Sequence, residues 1–364
     1  MTCHSCCRKP VQLRAERSIA GQINALVIAL LLLVGASSVA PAQDVSRSRI
    51  VEFPVSASLK LNGTLTVPNA GNGSGPFPAV LLLQGSGPVD RDGNSPPALH
   101  WATLEILAQE LAAAGVASLR FDKRGMHANQ RSLPTDTREW ANFFRWENFV
   151  EDARAAGMFL RSQSEIDAAR VAIVGHSEGG LIALALANAP DAAFKATVLL
   201  ATPGRPLGDV ITEQLTSTLL QQNAGTELTA ALLAKNAEIL QSIQATGAVP
   251  GNVPAELQAL YPPYLGAFLH ALLAIKPTDL ARSARSPILA IHGGADRQVS
   301  ADGDGRLLSA ALSARQDPSQ QVTLAGVNHA LQATAEVTTE RRPLDREVVL
   351  RLHAWLAAGF ATSP

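Results

Sequence analysis

Residues 171–180 read Val171-Ala172-Ile173-Val174-Gly175-His176-Ser177-Glu178-Gly179-Gly180. The apolar run Val171–Val174 suits a strand buried on both faces of a parallel sheet. The apolar stretch Gly179–Asn188 reads as a helix. Between them lies the pattern G-x-S-x-G, which occurs once in the chain. Such a turn must be sharp enough to lift the Ser177 hydroxyl clear of the backbone, so its close neighbours have to be small, and glycine meets that need. The following helix aims its N-terminal amides and partial positive charge at the same spot. Ser177 is therefore the candidate nucleophile, in preference to an ordinary helix-capping serine.

Outward from this turn, strands and helices alternate. Ser48–Val55 and Leu59–Val67 alternate apolar and polar residues, as two antiparallel strands would. Ala79–Leu83 is a continuous apolar run, and Trp101–Ala114 is an amphipathic helix stopped at Gly115. Val116–Phe121 reads as strand and Asn148–Ser162 as helix. Beyond the turn come strands at Thr197–Ala201, Ile288–His292 and Val322–Leu324, with helices at Arg306–Ala314 and Asp345–Ala358. Repeated strand–helix units imply an α/β fold with a mainly parallel central sheet and helices on both faces. From 203 to 280 no strand pattern appears. Several helical patterns occur there instead, including Leu228–Ala245 and Tyr264–Ile275, with breaks such as AVPGNVP (248–254) and YPPY (261–264). A helical insertion past the C-terminal strand ends would cover the place where such sheets bind ligands. The expected organisation is a core of residues 43–202 and 281–364, with a helical cap at 203–280.

The first 42 residues have the three physical parts of an export signal. Arg8, Lys9, Arg14 and Arg17 precede an apolar run from Ile23 to Val34, and Ala40-Pro41-Ala42 is a small-residue cleavage site. The run is short for a membrane span of ~20 residues, so a cleaved leader is expected, with no stable membrane anchor afterwards and a periplasmic or secreted protein. All three cysteines, Cys3, Cys6 and Cys7, lie in this leader with His4, so they serve neither a disulfide nor a metal site in the mature chain. Its loss removes four positive charges and one negative, taking the net charge from -1 to about -4. In the full chain 30 Lys+Arg balance 31 Asp+Glu, with no basic run in the body, which argues against nucleic-acid binding. With 47% hydrophobic and 17% charged residues, the chain can bury enough surface to fold.

A serine hydroxyl needs a base to become a good nucleophile. In this kind of sheet the chain order is Ser, then acid, then His. His329, in GVNHA after the last apolar strand, is where a loop can return over the nucleophile. His353 lies inside the terminal helix and reads as a surface or packing residue, and the His176 side chain is expected to point away from Ser177. The base needs an anion to fix its tautomer, and Asp296, in HGGADRQV at another strand end, is preferred. Asp302 and Asp304 read as a solvated helix entry. The oxyanion of the reaction needs preorganised donors. One is the Glu178 N–H directly after the nucleophile. The other comes from Gln84-Gly85-Ser86-Gly87-Pro88, with Ser86 N–H preferred and Gly85 close behind.

Together, QGSGPVDRDGN (84–94), RFDKRG (120–125), GHSEGG (175–180), HGGADRQV (292–299) and VNHA (327–330) make the chain resemble an α/β-hydrolase. More narrowly, it resembles the bacterial carboxylesterases of the serine-aminopeptidase-like branch, from about residue 50 to 360. The resemblance implies a Ser177–Asp296–His329 triad, an oxyanion hole from the Ser86 and Glu178 amides, and a helical lid shaping the substrate pockets. Two positions depart from the family pattern. Gln84 stands where His is common, and Met126-His127 follow Gly125 where a further Gly is usual. Asp90, Arg91 and Asp92 are expected to tie the oxyanion loop together by ion pairs.

The expected activity is hydrolysis of a small-molecule carboxylic ester through an acyl-enzyme, with no metal or organic cofactor. The apolar cap favours a short- to medium-chain or otherwise hydrophobic acyl group. A serine peptidase is the first alternative, and Glu213, Glu227 and Glu238 are available in the cap to bind a substrate amine. A non-catalytic binding scaffold is the second, although such scaffolds usually lose a triad member and none is lost here.

Overall fold

The computed structural model describes residues 46–69, 75–191, 193–334 and 339–361. The leader and its cysteines lie outside the described residues. Eight strands form one sheet: β1 (Ser46–Pro54), β2 (Lys60–Pro68), β3 (Phe77–Leu83), β4 (Ala117–Phe121), β5 (Ile166–His176), β6 (Thr197–Leu200), β7 (Ile288–Gly293) and β8 (Gln320–Leu324). Their spatial order is β1-β2-β4-β3-β5-β6-β7-β8. The β1–β2 and β2–β4 pairs are antiparallel and every later pair is parallel. The loops leaving β3, β5, β7 and β8 therefore emerge at one edge.

The two-residue side-chain period of a strand divides the apolar runs between two cores. Leu81 and Leu83 of β3, Ile173 of β5, Leu199 of β6 and Ala290 of β7 face one side. There they pack with α2 (Trp146–Arg161) and α3 (Glu178–Asn188). Val80, Leu82, Val174, Val198, Leu200 and Ile291 face the other side, against α1 (Thr103–Ala113) and α9 (Arg346–Ala361). Strand β5 begins earlier than its apolar run, at Ile166, because Phe77 of β3 pairs with Ile166 before the register shifts.

Between β6 and β7 stand α4 (Leu207–Gln221), α5 (Thr226–Thr246), α6 (Gly266–Ala274) and α7 (Pro277–Ser283). They build a core of their own from Leu215, Leu219, Ile239, Ile243, Leu257 and Tyr261. Tyr261 donates its hydroxyl hydrogen to Asn236 and is almost fully buried. On α6, Phe268 docks edge-on against Phe149 of α2, with ring centroids 5.4 Å apart. The entry to this insertion is anchored by Asp304, which is fully buried rather than solvated. Its carboxylate accepts from the Gly204 and Arg205 amides at 3.0 and 2.9 Å and pairs with the Arg205 guanidinium, which also reaches Glu213 of α4. Helix α8 (Arg306–Ser313) follows directly.

A second buried pair joins the loop after β4 to α2. Arg124 donates to both Asp152 oxygens, at 2.8 and 2.6 Å, and both side chains are excluded from solvent. Burial pushes the Asp152 carboxyl above its usual range, against the pull of Arg124, so this carboxylate depends on its partner to stay charged. Arg124→Met should lower the urea-unfolding free energy by about 3–5 kcal/mol, because it leaves Asp152 buried and unpaired. Arg124→Met/Asp152→Leu should recover most of that loss. A single variant within ~1 kcal/mol of the parent would contradict this.

Candidate active site

Strand β5 ends at His176, and the next residue turns the chain. Ser177 has φ 53° and ψ -122°, outside the range favoured by L-residues, a conformation that costs ~1–3 kcal/mol unless its surroundings enforce it. Here they do. The Ser177 N–H donates to the Leu200 carbonyl of β6 at 2.8 Å, and the Gly180 N–H donates to the Ser177 carbonyl at 3.0 Å. A Cβ at Gly175 would lie 2.2 Å from the Gly179 carbonyl oxygen, and one at Gly179 would lie 2.5 Å from the Leu83 carbonyl oxygen. The strand, the turn and the end of β3 approach this closely only because both positions are glycine. Helix α3 then starts at Glu178, whose amide belongs to the first turn and has no intrahelical acceptor.

The loops after β7 and β8 bring Asp296 and His329 together. His329 Nδ1 lies 2.8 Å from Asp296 Oδ2, and the carboxylate is fully shielded from solvent. The other oxygen, Oδ1, accepts from the Gln298 and Val299 amides at 2.7 and 3.0 Å. Burial pushes the Asp296 carboxyl up, but His329 and those two amides together outweigh it and hold it below the usual carboxylate range. An ionised carboxylate only accepts, so Nδ1 carries a proton, and in a neutral ring the lone pair is then on Nε2. Ser177 and His329 line the same cavity, of ≈180 Å³. No hydrogen bond joins the Ser177 hydroxyl to the His329 imidazole among the described residues.

His176 does not point away. Its ring lies 4.8 Å from the His329 ring, its Nε2 is 2.8 Å from the His329 carbonyl oxygen, and it lines the cavity. By donating to that carbonyl it braces the backbone of the loop that carries His329.

The loop 84–94 has a more elaborate support than its sequence suggests. Arg91 and Asp92 do not pair with each other. Arg91 clasps Asp122, with Nη2 to Oδ2 at 2.6 Å, and Asp92 accepts from Arg120 Nε at 2.6 Å. Asp90 turns the loop by accepting from the Asp92 and Asn94 amides at 2.9 and 2.8 Å. Gln84 uses its amide to donate to the Phe121 carbonyl at 2.9 Å. His127, at φ 48°, brings its Nε2 to 2.8 Å from the Pro88 carbonyl oxygen. Lys123 lies beneath the loop, donating to the Gly85 carbonyl at 2.6 Å, the Gly87 carbonyl at 3.1 Å and Glu178 Oε1 at 3.2 Å. Sequence reasoning did not single out Lys123. The one available signal was four charges, Arg120, Asp122, Lys123 and Arg124, crowded at the end of a buried strand.

The cavity wall contains Val89, Leu99, Trp101 and Leu104, together with Gln214 of α4 and Gln298. Gln214 Nε2 donates to the Gln298 carbonyl at 3.0 Å, linking the insertion to the loop that carries Asp296. None of the described residues lining the cavity is Asp or Glu. Glu213 is engaged by Arg205 and Glu238 by Lys235. Among the described residues no three His, Cys, Asp or Glu side chains are grouped to hold a metal ion.

The sheet order, with its helices on both faces and a turn that presents a serine at the C-terminal edge, is that of an α/β-hydrolase. Residues 98–333 match the family described as serine aminopeptidase, S33, and the chain belongs to that hydrolase family. Among curated relatives, esterase EstD of Thermotoga maritima is 28% identical over 305 residues, 81% of this chain and 65% of EstD, so the chain spans just under two thirds of that relative. Among solved structures, Est1E of Butyrivibrio proteoclasticus, determined with ferulic acid bound, superposes with a TM-score of 0.54 at 17% identity, over 86% of this chain and all of that one. The Pyrococcus furiosus esterase Pf2001 superposes with a TM-score of 0.55 at 16% identity, over 87% of this chain and 92% of that one. The structural likenesses concern the fold.

Burial, reinforced by the neighbouring His329, holds the His176 imidazole down at about 4. The unfolded histidine titrates near 6.5. Between those values the unfolded chain binds a proton that the folded chain does not, so stability falls as pH falls through this window, by at most about 3 kcal/mol. The depressed Asp296 carboxyl acts in the same direction at lower pH. An NMR titration should show His176 neutral at pH 5.5, with the urea midpoint dropping from pH 7 to pH 4.5. A His176 resonance that titrates near 6.5 would contradict the assignment.

Proposed function

We propose that this chain is a carboxylesterase that forms an acyl-enzyme on Ser177. The observation that carries the proposal is the buried His329–Asp296 pair opening on the same small cavity as Ser177. With Nδ1 committed to the carboxylate, Nε2 is the nitrogen left to take the Ser177 proton as the hydroxyl attacks an ester carbonyl. The carbonyl oxygen becomes an oxyanion received by the Ser86 and Glu178 N–H groups. His329 then protonates the departing alcohol, a water enters, and the same base assists its attack on the acyl-serine. Asp296 stays ionised throughout and stabilises the imidazolium.

The lining supports an uncharged substrate. Valine, leucine and tryptophan side chains suit a short or compact apolar acyl group, and the three glutamines of the wall, Gln84, Gln214 and Gln298, are polar without charge. An aminopeptidase must hold a substrate ammonium, and a carboxylate at the cavity would serve it; the glutamates considered for that role are either engaged elsewhere or absent from the lining. In this reading helices α4–α7 act as the cap, with Gln214 as its contact to the catalytic loops. The leader 1–42 exports the enzyme to act on esters outside the cytoplasm.

With p-nitrophenyl acetate and butyrate as substrates, Ser177→Ala should lower kcat by roughly 10³-fold or more and leave the circular dichroism spectrum unchanged. Asp296→Asn should cost a comparable factor, on the order of 10⁴, through the wrong imidazole tautomer. Alanyl and leucyl p-nitroanilides should turn over at least about 100-fold more slowly than the esters. Faster anilide than ester turnover would assign a peptidase instead, and full activity in Ser177→Ala would refute the nucleophile.

A further inference from the structure

The two N–H groups assigned to the oxyanion come from segments 92 residues apart, and one ammonium group touches both segments. Lys123 is 5% exposed, and its three hydrogen bonds to Gly85 O, Gly87 O and Glu178 Oε1 use all the donors it has. The Gly85 carbonyl and the Ser86 N–H belong to the same peptide group. In a trans peptide these two bonds point in opposite directions. With the Gly85 oxygen held 2.6 Å from Nζ, the Ser86 N–H leaves from the opposite edge of the peptide and points away from Lys123. Ser86 lines the cavity there with Ser177, whereas Lys123 is not part of the lining. The same ammonium holds the side chain of Glu178, whose own N–H is the other donor.

Building on the esterase reading, we propose that Lys123 is a positioning residue of the oxyanion site. Its ammonium fixes the Gly85–Ser86 peptide plane and the first residue of α3 in one arrangement, so that both N–H groups converge before substrate arrives. A charged donor on the carbonyl also polarises the peptide and strengthens the N–H on its other side. Nothing in this role brings Lys123 into contact with substrate. Its effect should therefore fall on the step in which negative charge develops and not on substrate binding.

The role separates from simple ion pairing by two variants. Lys123→Met removes the ammonium and leaves Glu178 buried without its partner. Lys123→Met/Glu178→Gln removes both charges, which relieves that burden on the fold but leaves the Gly85 carbonyl unheld. With p-nitrophenyl acetate, kcat should fall roughly 10- to 100-fold in both variants, with KM within about 3-fold of the parent, since removing an oxyanion donor outright costs roughly 10²–10³. Thermal unfolding should show the double variant more stable than the single one, so it carries the kinetic test if Lys123→Met does not fold. A double variant that regains kcat to within 3-fold of the parent, or a folded single variant that never loses it, overturns the proposal. Absence of ester turnover in the parent would instead overturn the esterase reading itself.

Discussion

A single backbone constraint organises this molecule: Ser177 is held at positive φ where β5 runs into α3, in a space too small for side chains at 175 and 179. The strain is local and is offset by the sheet around it. Strand β5 lies in the middle of the parallel region, buried on both faces from Val171 to His176, with β3 on one side and β6 on the other. Its C-terminal end cannot relax without breaking the hydrogen bond from Ser177 to Leu200 or the packing of α3 on the sheet. A serine in a flexible loop would have the same chemistry but no fixed direction. Here the hydroxyl, the start of a helix and the end of β3 share one point.

Around that point the protein concentrates polar groups and buries them. Arg91–Asp122, Arg124–Asp152 and Lys123–Glu178 are pairs largely excluded from solvent, and all three radiate from the short loop after β4. Buried pairs of this kind are poor sources of net stability but are costly to break on one side only. They define where loops go. The loop that contains Ser86 is attached to β4 by Asp92 and Gln84, and to the segment after β4 by Arg91, Lys123 and His127. A glycine-rich loop would otherwise be among the most mobile parts of the chain. The insertion carries a comparable anchor in Asp304, which ties its entry to the segment after β7.

Much of the fold was legible in the residues. Apolar runs such as AVLLL and VAIV have no alternative in water but burial, and their two-residue period divides into two cores as a doubly covered sheet requires. The glycines around Ser177 announced a tight turn because few other residues could be placed there. Asp296 and His329 were recognisable from their places after strands, and the structure puts them 2.8 Å apart. What escaped were the buried ion pairs and loop anchors whose partners are distant in sequence. Nothing in DKRG says that Asp122 meets Arg91, or that Lys123 reaches Gly85 and Glu178. Asp304 resembles a solvated turn residue until its fold neighbours, Gly204 and Arg205, are known. Helix α4 was missed as an element because its threonines and glutamines mask a modest apolar stripe, so its Gln214 could not be assigned to the cavity.

If one hydroxyl, Ser177, is activated by the His329–Asp296 pair, covalent labelling reads that activation most directly. The folded chain is treated with a fluorophosphonate at neutral pH, then weighed intact and mapped by tandem mass spectrometry after digestion. One adduct per chain on the peptide containing Ser177, and its near-complete loss in His329→Gln, is the predicted result. An adduct on another residue, or equal labelling of Ser177 without the imidazole, would contradict the account.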